Sequence, residues 1–146
     1  MGHVMSDTVQ ETEVAATTAR VSTLRGNCMG AAVLLIIQFG VGIGVNLYIE
    51  VPENKTFLPA VFSSAALAAH AIVAVVLLAA AITALVRAIR LRRAIVLTSV
   101  GLAAILVAAF AGASFVGNAS NGPSLTMALA TAVAMFSYLA AVYSLR

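Results

Sequence analysis

Charged side chains are scarce: Asp, Glu, Lys and Arg make up 9% of the 146 residues, against about a quarter in a soluble domain. So few cannot cover a water-exposed surface, and a soluble fold is excluded. Acid is scarcer still. Aspartate occurs once, at Asp7, and Glu11, Glu13, Glu50 and Glu53 all lie outside the long apolar runs. Cation transporters and intramembrane aspartyl proteases rely on buried carboxylates, so both lose their chemical basis here. The single cysteine, Cys28, excludes an intrachain disulfide and paired-thiol redox chemistry. Tryptophan is absent. The three prolines, Pro52, Pro59 and Pro123, all fall between apolar runs and mark turns.

What remains is hydrocarbon. Hydrophobic residues are 62% of the chain, with a mean hydropathy of +1.08. Residues 1–28 are polar and form an N-terminal tail, expected to be disordered or loosely helical. From Met29 to Ile49 runs an uncharged segment of 21 residues, long enough at about 1.5 Å per residue to cross a hydrocarbon core of about 30 Å. Three more spans follow, at about 60–86, 94–116 and 125–145. Pro59 suits the first turn of the second span. The predicted fold is all-α: an up-down transmembrane four-helix bundle over 29–146, its consecutive helices antiparallel because their connections are short.

The formal charge of +3 and a pI near 9.6 would suggest nucleic acid in a soluble protein. Here the arginines sit between apolar runs instead. Arg20, Arg25, Arg87, Arg90, Arg92, Arg93 and Arg146 fall on one side of the four spans, and only Lys55 on the other. Basic residues favour the cytoplasmic side, which puts both termini there. Tyr48, Phe57 and Tyr143 form a thin interfacial belt. An alanine- and arginine-rich composition fits a bacterial inner (plasma) membrane. Arg87, Arg90, Arg92 and Arg93 serve as a topology signal and a contact for lipid headgroups.

Helices in lipid associate through small residues and interhelical hydrogen bonds. Gly40 and Gly44 form one small-residue face, and Ala104, Ala108 and Gly112 another. Each is expected to pack within the bundle, against a second copy, or in a larger membrane complex. The glycines do not constitute a phosphate loop, since no strand precedes them and no lysine follows.

Polar residues inside the spans carry the functional signal. His70 lies about ten residues inward from the start of its span, roughly 15 Å deep and near the midplane. Gln38 falls at the same level and Tyr138 one turn deeper, so the three define a midplane layer. Gln38, Gly42 and Asn46 share a helix face. Asn46, Ser63, Ser114 and Thr126 fall at a second, shallower depth. Two roles compete for these groups. In one they merely fasten helices to each other or bond to their own backbone carbonyls, and the protein is an accessory or scaffold subunit. In the other, His70, Gln38, Asn46 and Tyr138 line a site for a quinone, a lipid or another small ligand.

A third reading makes His70 a haem or metal ligand, with Met127, Met135 or a second His70 completing the set. An oligomeric channel or transporter ranks lower. No enzyme is expected, because Ser114 lies about two turns from the depth of His70 and the pair would not meet as a catalytic dyad. Gly2 to Ser6 fits a myristoylation pattern, and Asn54-Lys55-Thr56 and Asn118-Ala119-Ser120 fit glycosylation sequons. All three are short enough to arise by chance.

Overall fold

The computed structural model describes residues 2–48, 57–118 and 121–146. They form five helices and, among the described residues, no strand: α1 (Gly2–Tyr48), α2 (Phe57–Val61), α3 (Ala65–Leu91), α4 (Ile95–Asn118) and α5 (Asn121–Ser144). All but α2 are long and apolar enough to cross a membrane. Lys55 and both sequons fall wholly or partly outside the described residues.

The four long helices close into a ring in which α1 and α4 each contact both α3 and α5, the most extensive seam being that between α4 and α5. The exterior is apolar as well as the core. Ile36, Ile37, Val75, Phe110, Leu129 and Phe136 are all exposed, and only 22–33% of each span's most apolar stretch is buried in the chain. Such a surface is stable in lipid and not in water. The protein is an all-α membrane four-helix bundle.

The N-terminal segment takes the helical of its two expected forms. It is one continuous helix with the first span, and packing begins before residue 29: Leu24 and Cys28 are fully buried with Ala31, Ala32 and Leu35. These positions recur at three- and four-residue spacing and form one stripe. Arg25 is exposed on another face, and its charge masks the stripe in a face-blind hydropathy average. Thr18 and Thr23 donate to Val14 O and Ala19 O at 2.9 and 2.8 Å, which satisfies their hydroxyls within the helix. Gln10 to Arg20 are exposed throughout, so this part of α1 extends beyond the bundle.

The second span also starts later than its hydropathy suggests. Pro59 belongs to the short α2, and the chain breaks at Phe62 to Ser64 before α3 begins. Ser64 is the N-cap, extended at φ −139° and ψ 148°, with its hydroxyl accepting from Leu67 N–H at 3.2 Å. Ser63 donates to Ala60 O at 2.6 Å and secures α2. At its far end α3 runs through Arg87 and Arg90 to a left-handed Arg92 (φ 51°). There Arg92 N–H donates to Ile89 O and Arg93 N–H to Ala88 O, both at 3.1 Å, the paired bonds of a Schellman close. The turn into α4 is therefore residues 92–94, and Ala94 is left-handed as well (φ 55°). At the opposite end α4 and α5 consume most of the expected loop, with Pro123 in the first turn of α5.

The arginine-bearing half of the bundle is tightly packed. Leu77, Ala81, Ala84 and Ala88 of α3 and Ala134, Tyr138, Ala141 and Val142 of α5 are buried in one cluster with α1. Alanine stripes at this spacing let backbones approach closely. Tyr138 is the largest fully buried side chain, and Gly101 of α4 makes room for it: a Cβ there would lie 2.7 Å from Tyr138 Cε2 and 2.9 Å from Cζ. Of the two predicted small-residue faces, Ala104 is buried and a Cβ on Gly112 would meet Met127 Sδ at 3.1 Å, so that face packs inside the chain. Gly40 and Gly44 have nothing within 4 Å of a built Cβ and make no such close approach.

Gly101→Ala is expected to destabilise the bundle by about 1–3 kcal/mol, because the enclosed ring has no free direction in which to yield. Gly30→Ala, at an exposed position with open space around it, should leave the thermal midpoint unchanged or raise it slightly. Circular dichroism melting in detergent measures both, and equal behaviour of the two variants would contradict the packing.

Candidate ligand cavity

Away from the arginine end the core opens. A cavity of about 650 Å³ lies among α1, α3, α4 and α5, with Leu58, Val61 and Phe62 of the α2 segment in its wall. Most of the lining is aliphatic or aromatic. Its polar groups include Gln38 and Asn46 from α1, His70 from α3, and Ser124 and Thr131 from α5.

Gln38 ties α1 to α3 at this level. Its Nε2 donates to the backbone carbonyl of His70 at 3.0 Å and lies 3.1 Å from His70 Nε2. A helical carbonyl has a second lone pair beyond the one used in the ladder, so it accepts this additional bond. Gly42, one turn from Gln38, allows the imidazole to lie against α1, because a Cβ there would be 3.0 Å from His70 Cε1. Gln38 and Gly42 thus bracket the ring.

The carbonyl also fixes which way the amide points. Reversing it would set Gln38 Oε1 against His70 O, acceptor against acceptor, so the NH₂ must face α3. One amide hydrogen goes to the carbonyl and the other to His70 Nε2. That ring nitrogen is therefore the unprotonated acceptor, and in the neutral imidazole the proton is on Nδ1. Two groups are left over. Gln38 Oε1, an acceptor, and His70 Nδ1, a donor in this tautomer, are buried without a hydrogen-bond partner. Gln38 itself is 8% exposed.

The other expected site residues distribute unevenly. Asn46 lines the cavity and accepts through Oδ1 from Ser124 Oγ at 3.4 Å, a long bond joining α1 to α5. Tyr138 does not line the cavity. Its ring is in the packed half beside Gly101, and its hydroxyl is also unpartnered. The midplane layer is therefore a Gln38–His70 pair without the tyrosine. Met127 faces the cavity, while Met135 packs against the buried cluster.

A second polar layer does not form. Ser63, Ser114 and Thr126 each donate to a carbonyl of the preceding turn, on Ala60, Phe110 and Gly122. Ser124 and Thr131, unmarked in the sequence, are in the cavity wall instead. Thr131 lies one turn beyond Met127 on α5, so helical phase alone could have flagged it. Among the described residues no three His, Cys, Asp or Glu side chains converge to hold a metal ion.

Comparison of the chain with protein-family models, curated proteins and solved structures returned no match. The geometry of the cavity alone carries the functional argument.

Nitrogen-15 NMR of the protein in lipid nanodiscs, with His3→Ala leaving one histidine, should show Nδ1 protonated and Nε2 unprotonated in the neutral His70 ring. Gln38→Leu should abolish that preference. A neutral ring carrying its proton on Nε2 in the unsubstituted site would contradict the amide orientation.

Proposed function

We propose that the protein is a membrane-embedded binding subunit that takes a small lipophilic molecule into the cavity beside Gln38 and His70. One observation carries this: a cavity of about 650 Å³, mostly apolar in lining, has the uncharged polar residues Gln38, Asn46, His70 and Thr131 in its wall. That volume is within the usual range for small-molecule sites.

The same geometry separates the earlier alternatives. Haem iron needs an unprotonated imidazole nitrogen, and the one on His70 already accepts from Gln38. The residues present therefore do not fit axial ligation. A quinone-class or related lipophilic ligand is supported by the apolar lining and its few uncharged polar groups. Transport of cations is disfavoured, since no carboxylate lies in the described cavity wall.

In this proposal the chain crosses the plasma membrane of a bacterium four times. The arginine end and both termini are cytoplasmic, so the cavity belongs to the outer half. Arg87, Arg90, Arg92 and Arg93 hold that end at anionic headgroups, at about 1 kcal/mol per charge. Arg146 adds a cation–π contact with Tyr143 at 5.0 Å. The open Gly40/Gly44 face supports self-association or docking into a larger membrane complex, for which the subunit would act as an accessory.

Protein purified from membranes into nanodiscs should retain a lipophilic compound detectable by mass spectrometry of its organic extract. Ala108→Phe, which fills the cavity from α4, should lose that compound while keeping full helical circular dichroism. Equal extracts from both proteins, or from protein-free discs, would count against the cavity as a binding site.

A further inference from the structure

Accepting the cavity as a binding site, its wall also shows where a ligand enters. We infer that the gap between α3 and α4 is a lateral doorway, through which the cavity exchanges its contents with the hydrocarbon of the bilayer. The ligand is then a molecule dissolved in the membrane, and not a solute taken from the water outside.

The cavity is not sealed by its own helices. On α3 its lining passes from buried Leu67 and Leu77 to Val75 and Val76, which are 68% and 51% exposed. On α4 it passes from buried Ile105 to exposed Ala109 and Ala113. Side chains that line the interior and face the exterior at once mark its mouth. That mouth lies at the least extensive of the four seams in the ring. The residues on its α4 side, Ala108, Ala109, Gly112 and Ala113, are too small to fill the gap.

The α2 segment crosses the same gap. It packs against α4 and α3, the two sides of the mouth, and Leu58, Val61 and Phe62 bring it into the wall. Leu58 and Phe62 are themselves exposed, so α2 roofs the mouth without closing it. Both sides of the passage are apolar, and a lipophilic molecule moving between bilayer and cavity meets no water on the way. An apolar void open to hydrocarbon also fills with it, because lining atoms without neighbours forfeit their dispersion contacts. When no ligand is bound, a lipid chain therefore takes its place.

Met127 provides the probe. It lines the cavity from α5, with its sulfur against Gly112 of α4. The full chain, carrying carbon-13 in its methionine and leucine methyl groups, is washed in detergent and placed in phosphatidylcholine nanodiscs with protonated or deuterated chains. Nuclear Overhauser cross-peaks, which require close contact, should join the Met127 methyl to chain methylenes in the protonated discs and vanish in the deuterated ones. Exposed Leu129 on α5 is the lipid-facing reference. Ala109→Trp, which adds bulk at the mouth, should lose the Met127 peak and keep that of Leu129. Ala79→Trp, at an exposed position on α3 outside the lining, should keep both.

Leu129 peaks without Met127 peaks would overturn the doorway and leave the binding function standing. So would Met127 peaks to water in place of chains, peaks that survive chain deuteration, or peaks undiminished in folded Ala109→Trp. Chain cross-peaks at Met127 in a protein whose organic extract holds no retained compound would keep the opening and remove the proposed function.

Discussion

Hydrocarbon offers no hydrogen-bond partner, and every peptide group placed in it must be satisfied by the protein. That constraint shapes the chain at two scales. Along each span it imposes a helix, because only a helix closes its own backbone ladder without help from neighbours. At one level between the spans it explains why Gln38 gives both of its amide hydrogens to His70, one to a backbone carbonyl and one to the ring. A primary amide in an apolar interior has four bonding positions to fill. On the NH₂ side Gln38 fills them completely; on the oxygen side it does not. The candidate cavity lies beside this contact, which fastens α1 to α3.

The bundle is correspondingly uneven from end to end. Toward the arginines, alanines on α1, α3 and α5 bring the backbones close, and Tyr138 fills the remaining space against Gly101. Packing of that kind resists deformation, since a single added methyl would collide with an enclosed ring. Toward the other end the side chains around Gly42 and Gly112 leave a void, with the short α2 segment in its wall. A rigid half that sets the spacing of the helices and an open half that holds polar groups in place is a workable division for a binding protein. The fixed tautomer of His70 results from this preorganisation, because the helix carbonyl dictates how the amide, and through it the ring, is oriented.

Much of this was legible in the residues. Spans follow from hydropathy because a lipid-facing helix is apolar on every side, and that signal does not depend on helical phase. Gln38 and His70 could be matched by counting depth alone, since both lie near the middle of their spans. Depth carries no information about azimuth, so counting inward groups Tyr138 with them although it packs in the other half. The Gly40/Gly44 spacing was equally ambiguous: a small-residue motif shows that close approach is possible, and the approach in this chain is made at Gly42 and Gly101. Leu24 and Cys28 were concealed by Arg25 on another face of the same helix. Ser64 was concealed because a single N-cap residue can start a helix within a run that stays apolar on both sides.

The account stands on Gln38 reaching across to the peptide of His70 inside the bilayer. Solid-state NMR can measure that contact in lipid, with nitrogen-15 in the glutamine side chain, carbon-13 in the histidine carbonyl, and Gln10→Asn leaving Gln38 as the one labelled glutamine. The account predicts dipolar dephasing at a nitrogen-to-carbon distance of about 4 Å, as a hydrogen bond of this length requires. Absence of dephasing would place the two residues apart and contradict both the helix arrangement and the cavity built on it.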